Sequence, residues 1–211
     1  MLPLHKKKVT MESASRTIQR SIRRRKRRGE LIFPTDFRGA GTEAAIKMAL
    51  SRLSKDGIIK RIGHGIYVLP KKDVVFGEVL PGPQEVAESI AKKDRVRIMP
   101  SGATAMHKLG LTTQIPMQLV YLTDGPARNI RLGNTLIKFK PTTPKKFAMK
   151  GKYSALVIQA LEEVGVENID DLMADKIKRF LELESKETLM NDLKLAPAKV
   201  HDYLVKLLSK K

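Results

Sequence analysis

The sequence predicts an α+β chain of two domains, 1–75 and 76–211, the second a mixed α/β unit ending in several helices. Three observations predict it. A helical pattern beginning at Thr42 runs straight into two β-prone segments, the stretch 71–83 loses all periodicity, and the pattern beyond Lys152 is wholly helical. In the first of these, Thr42 is placed as an N-cap, with Glu43 beside the positive end of the helix dipole. Ile46, Ala49, Leu50 and Leu53 recur at three- and four-residue spacing and form an apolar face. Gly57 stands where a left-handed residue ends a helix. Ile58 to Ile62 and Ile66 to Leu69 then read as strands joined by Gly63-His64-Gly65, a hairpin signal.

Upstream, residues 1–10 carry Lys6-Lys7-Lys8 without periodicity and read as a mobile arm. Met11 to Arg28 is predicted as the first helix, with Ala14, Ile18 and Ile22 as its apolar stripe and Gly29 as its end. The run Arg23-Arg24-Arg25-Lys26-Arg27-Arg28 wraps its last turns. That run is open to three readings: a phosphate clamp, which is favoured, a solvated helix end, or a basic patch for RNA. Leu31 to Phe33 is a short strand, and Pro34 to Phe37 a brief helix ended by Gly39. Helix, short strand, short helix, turn, helix and hairpin is the order of a winged helix-turn-helix.

In such a unit the polar face of the 42–56 helix carries Glu43, Lys47, Ser51, Arg52 and Lys55, suited to base edges and phosphates. Lys60, Arg61 and His64 sit on or near the wing. Together with Arg23, Arg24, Arg25 and Thr42, the residues Lys47, Ser51, Arg52, Lys55, Lys60, Arg61 and His64 form the predicted DNA-binding set. His64 either touches a phosphate or the minor groove, or is simply exposed at a loop tip.

The punctuated stretch 71–83 is predicted as the domain boundary. Pro83 to Lys93 follows as an amphipathic helix presenting Val86, Ala87, Ile90 and Ala91. Arg95 to Met99 reads as a strand, Ser101 as the cap of a helix through Leu109, and Met117 to Thr123 as the best strand in the chain. After the Asp124-Gly125-Pro126 turn come strands at Arg128 to Leu132 and Thr135 to Lys140, linked through Gly133-Asn134. The helical remainder shows one stripe through Leu156, Val157, Ala160, Leu161 and Val164, and a second through Ile169, Leu172, Met173, Ile177, Phe180 and Leu181. Shorter helices follow around Leu189 and Leu193 and around Val200, Leu204, Leu207 and Leu208. Such stripes are read as core, with a partner-binding face as the alternative.

Charge points to a polyanion. The chain carries 41 Lys and Arg against 22 Asp and Glu, net +19. Residues 1–80 hold +12, residues 81–150 hold +8, and residues 151–211 hold −1, so the positive field sits on the first two-thirds. There is no cysteine, and the four histidines are scattered, which argues against disulfides, a thiolate metal site or a zinc site. No apolar run approaches the roughly 18 residues that span a bilayer, and no secretory signal is evident, so a cytoplasmic protein without a membrane partner is expected. No glycine-rich phosphate loop, serine elbow or paired-carboxylate motif appears, so no enzyme and no cofactor is expected. Asp124 is read as a turn residue.

The segments SRTIQRSIRRRKRRGELIFPTDF, ALSRLSKDGIIKRIGHGIYVLP and, above all, PSGATAMHKLGLTTQIPMQLVYLTDGPARNIRLG resemble the AbiEi-like antitoxins over roughly residues 12–165. That resemblance implies the antitoxin half of a type IV toxin–antitoxin, or abortive-infection, operon. It implies an N-terminal winged helix that binds operator DNA and represses its own promoter, with Ser51, Arg52 and Arg61 to Tyr67 as the DNA-reading segment. It further implies a C-terminal region, marked by Pro100 to Gly125, that counters a nucleotidyltransferase-like toxin without necessarily forming a stable complex. The alternative is a stand-alone winged-helix regulator, or another nucleic-acid-binding module with no toxin. Only ten of the 211 residues are Phe or Tyr, and no aromatic sheet motif appears, which favours duplex DNA over RNA.

Overall fold

The computed structural model describes residues 11–25, 28–114 and 116–209, the side chains of 11–14 and of Arg25 excepted. The predicted arm with Lys6-Lys7-Lys8, and Lys26 and Arg27 of the basic run, lie outside the described residues. The chain is α+β and forms two compact units, Met1–Val86 and Ala87–Lys211.

In the first unit, α1 (Met11–Arg25) buries Ile18 and Ile22 completely. Gly29 follows at φ +86°, and its N–H donates to Leu69 O at 2.6 Å. Strand β1 (Leu31–Ile32) pairs antiparallel with β3 (Ile66–Val68), which pairs with β2 (Lys60–Gly63), so the sheet order is β1-β3-β2. Between β1 and helix α2 (Glu43–Lys55) lies a 3-10 turn, Pro34–Phe37, in which Asp36 accepts the Phe33 N–H at 3.1 Å. Thr42 caps α2 as expected, its Oγ1 accepting the Ala45 N–H at 3.2 Å. Ile18, Ile22, Ile32, Phe37, Leu50 and Leu53 share one core. The strand expected from Ile58 begins only at Lys60. The N–H groups of Ile58 and Ile59 both donate to Leu53 O at the end of α2, and that capture keeps them out of the sheet.

The segment 71–83, read as the punctuated domain boundary, contains a hairpin of β4 (Lys71–Asp73) and β5 (Gly77–Val79). Asp73 makes its turn by accepting the Val75 and Phe76 N–H groups at 2.8 and 3.0 Å, and Gly77 supplies φ +68°. Gly77, one of the glycines that punctuate this stretch, serves the turn of that hairpin.

Helix α3 (Pro83–Asp94) buries Val86, Ala87, Ile90 and Ala91, as its periodicity predicts. The division between units falls within it. The next strand, β6 (Ile98–Pro100), starts later than expected. Arg95, at φ +57°, and Val96 return their N–H groups to Lys92 O and Ala91 O and finish the helix instead. Helix α4 (Ala103–Lys108) is preceded by Gly102 at φ +53°. Ser101 is not its cap: Gly102 holds the N-cap position and no side chain caps the helix, while the Ser101 N–H donates to Val120 O and its carbonyl accepts the Thr104 N–H.

Strands β7 (Gln118–Thr123), β8 (Arg128–Leu132) and β9 (Thr135–Pro141) complete a sheet of order β6-β7-β9-β8. Strand β9 pairs antiparallel with β8 and parallel with β7. One face carries the buried Tyr121, Ile130, Ile137 and Phe139; the other carries Gln118, Val120, Asn129, Lys138 and Lys140. Arg128 ties β8 to Asp94 of α3 at 2.6 Å. Tyr121 meets Phe139 edge-on, with ring centroids 6.2 Å apart. Burial, and secondarily the charge of Glu88, pushes its phenol up to about 12, so it stays protonated.

Helix α5 (Lys152–Val164) is the centre of the second core, buried against α6 (Asp171–Glu182), α7 (Lys186–Leu193) and α8 (Ala198–Ser209). Val157, Ala160, Leu161, Ile177, Leu181, Leu193, Val200 and Leu204 are all buried, so the stripes are core. Leu172 is the exception, 75% exposed. At about 100° per residue it lies roughly 140° from Ile177 and opposite Leu181. The start of α5 is held by two carboxylates. Asp192, 1% exposed, accepts from Lys150 N at 2.9 Å, Gly151 N at 2.8 Å and Ser154 Oγ at 2.6 Å. Glu184 accepts from Tyr153 N at 2.5 Å.

Two substitutions test this polar accounting in opposite directions. Asp192→Ala strands three donors, each costing about 1–3 kcal/mol, so a loss of roughly 3 kcal/mol or more is expected in urea unfolding. Tyr121→Phe removes a buried hydroxyl that has no hydrogen-bond partner among the described residues, so a change within about 1 kcal/mol is expected.

Candidate nucleic-acid interface

Helix α2 buries Ile46, Ala49, Leu50 and Leu53, and that choice fixes what it exposes. Lys47, Ser51 and Lys55 follow one another every fourth residue along the opposite strip, and Arg52 lies beside Ser51; all four are exposed. Lys47 already has a partner in Glu43, one turn back at 2.5 Å. The Lys47 ammonium, through its hydrogen bond and its charge, holds the Glu43 carboxyl below the usual carboxylate range. Both groups face water, so the pair is weak and a phosphate can displace Glu43. Thr42 is exposed, but its oxygen is engaged by the Ala45 N–H, so its first role is to start the helix.

The hairpin β2–β3 turns through His64 and Gly65, the latter at φ +66°, and His64 is exposed. Arg61 is exposed, and its Nε donates to Gly63 O at 3.3 Å, which keeps the guanidinium near the turn. Lys60 is paired instead with Glu78 of β5 at 3.5 Å, so the second hairpin partly neutralises it.

On α1, Arg23 and Arg24 are exposed near the helix end. Arg24 joins two arginines that the sequence did not single out. With Arg20 and Arg38, and with the hydroxyls of Thr17 and Ser21, it lines a cavity of about 560 Å³ between α1 and the segment 36–40. Asp36 lines it too, so three guanidiniums face one carboxylate. Planar guanidinium forks beside hydroxyl donors suit phosphate oxygens. The pattern was legible: Thr17 and Ser21, and Arg20 and Arg24, are i, i+4 pairs flanking the buried Ile18 and Ile22. The side chain of Arg25 lies outside the described residues.

Asp124 has a structural task. It accepts from the Arg97 N–H and from Arg97 Nε, both at 2.7 Å, and those bonds hold its carboxyl below the usual range. Arg97 in turn lies over the Phe147 ring at 4.8 Å. Among the described residues no three His, Asp or Glu side chains gather as a metal site, and no helix is long and apolar enough to cross a membrane.

Residues 17–189 match the model of a family of unknown function, DUF6088. No curated protein matches the chain. Among solved structures, the crystal structure of the RV2827C protein from Mycobacterium tuberculosis is similar with a TM-score of 0.55 and 15% identity, over 93% of this chain and 76% of that one. At that identity the likeness is one of fold.

Replacing Arg20 or Arg38 by alanine is expected to weaken binding of operator and random duplex alike, and to reduce the salt slope of binding by about 1 each. Competition titrations at several salt concentrations check this.

Proposed function

We propose that this chain, which belongs to the DUF6088 family of unknown function, is a duplex-DNA-binding protein that works as the antitoxin of a type IV toxin–antitoxin system. In this proposal the first unit is a winged helix-turn-helix that binds operator DNA and represses its own operon. The observation that carries it is the exposed strip Lys47, Ser51, Arg52 and Lys55, on a helix whose other face is core and which leads into a hairpin carrying Arg61. A helix of about 10–12 Å diameter fits the major groove, where Ser51 and Arg52 meet base edges and Lys47 and Lys55 meet phosphates. The cluster Arg20, Arg24 and Arg38 adds backbone contacts from a second element of the same unit. Net +12 over residues 1–80 supports the polyanion partner.

The second unit is proposed to counter a nucleotidyltransferase-like toxin, without a stable complex being required. What supports this half is the resemblance of residues 100–125 to AbiEi-like antitoxins and the loss of positive excess after residue 150, which gives the last helices little reason to touch DNA.

The two roles are separable in the intact protein. Binding to its own promoter fragment is expected to show a log–log salt slope near −5, for about six neutralised phosphates. Arg52→Ala is expected to cost roughly 1–3 kcal/mol of discrimination against random duplex, while growth rescue from a toxin encoded beside the gene persists. A flat salt response, or retained discrimination, would count against the DNA half. An Arg52→Ala chain that still discriminates poorly but no longer rescues growth would count against separate roles.

A further inference from the structure

The second unit contains a cavity of about 780 Å³ that the proposed DNA contacts do not use. We propose that it binds a nucleoside phosphate, with Lys138, Lys140 and the neighbouring Asn129 holding the phosphates and Glu163 holding the nucleoside.

Register places the groups. Lys138 and Lys140 alternate with the buried Ile137 and Phe139 on β9, so both ammonium groups stand on the open face of the sheet, their Cα atoms roughly 7 Å apart. Asn129 sits directly across from Lys138 on β8, adding an amide that can donate and accept. Glu163, near the end of α5, faces this group from another wall of the cavity. Its carboxylate lies against Gly102: a Cβ there would be 2.5 Å from Glu163 Oε2, and φ +53° independently calls for glycine.

The unit neutralises the cations it uses structurally. Arg97 is paired with Asp124, Arg128 with Asp94, and Lys146 with Glu162. Among the described residues no carboxylate pairs with Lys138 or Lys140. Two ammonium groups on β9 and a carboxylate on α5, with no ion pair between them among the described residues, give the cavity a lining of both signs. A nucleic-acid backbone would bring phosphates toward Glu163, whereas a nucleoside phosphate puts anions on the lysines and hydroxyl or amine donors on the carboxylate. Pro116 and Met117 supply apolar surface for a base, and the volume falls within the range of small-molecule sites.

The experiment is calorimetric titration of the full chain with each of the four common ribonucleoside triphosphates, with inorganic pyrophosphate and with a single-stranded oligonucleotide. Saturable binding of at least one triphosphate is expected. Lys138→Ala and Lys140→Ala should each weaken it roughly tenfold, the scale of one lost charge-assisted hydrogen bond. Glu163→Gln should weaken the nucleotide and leave pyrophosphate unchanged or tighter, with thermal unfolding confirming that the variant folds. No saturable binding of any triphosphate below about 1 mM would overturn the proposal. So would equal affinity for pyrophosphate and nucleotide, lysine variants that bind like the parent, or an oligonucleotide that binds more tightly through the same lysines. The site does not depend on the DNA reading, and Arg52→Ala should leave it unchanged.

Discussion

Asp192 is where the second unit is pinned together. It belongs to α7, yet the groups it satisfies, Lys150 N–H, Gly151 N–H and Ser154 O–H, lie at the start of α5, about forty residues earlier. A helix N-terminus leaves four amide groups without intrahelical partners, and burying them unmet is costly. Here Asp192 meets the Gly151 amide and Glu184 the Tyr153 amide from outside the helix, and negative charge at that end also complements the dipole. Gly151 permits the approach: a Cβ would fall 2.8 Å from Asp192 Oδ2. With α5 fixed at its start, its buried face can serve at once α4, α6, α7 and α8.

The first unit follows a different economy, in which a small apolar core decides where positive charge is displayed. Ile18 and Ile22 turn one side of α1 inward, which leaves Arg20 and Arg24 beside Arg38. Ile46, Leu50 and Leu53 turn α2 in the same way and leave Lys47, Ser51, Arg52 and Lys55 outside. Three side chains limit this display. Glu43 holds Lys47, Glu78 holds Lys60, and Asp36 shares the arginine-lined cavity, so part of the cationic surface begins with an internal competitor. Any anion that binds must outbid those carboxylates, which favours phosphates arriving in a fixed array over a single free ion.

Local periodicity made most elements legible. The three- and four-residue spacing in α2, α3 and α5 gave both the helices and their buried faces, and the alternation Ile137, Lys138, Phe139, Lys140 marks which side of β9 is wet. Much of what escaped was non-local. Nothing within Arg128 to Pro141 announces that β9, not β8, lies against β7, since strand order depends on partners distant in sequence. Ser101 looked like a cap because serine usually is one, but Gly102, at φ +53°, takes the N-cap position, and Ser101 stays bonded to the sheet through Val120 O. The arginine cluster required Arg38, from beyond the 3-10 turn, to be brought to Arg20 and Arg24. Each local signal was present, and only the fold could join them.

The strand order β6-β7-β9-β8 also imposes an order in time. As the chain leaves the ribosome, β6 and β7 can pair as soon as both have emerged, but β8 has no native partner until β9 follows it. The inner edge of β7 therefore stays open until β9, through residue 141, has been made and laid against it in parallel. Parallel closure of this kind is slow compared with a local turn, and an open edge invites pairing with other chains. The Gly133-Asn134 turn, with Gly133 at φ +54°, shortens that interval by letting the hairpin form locally first.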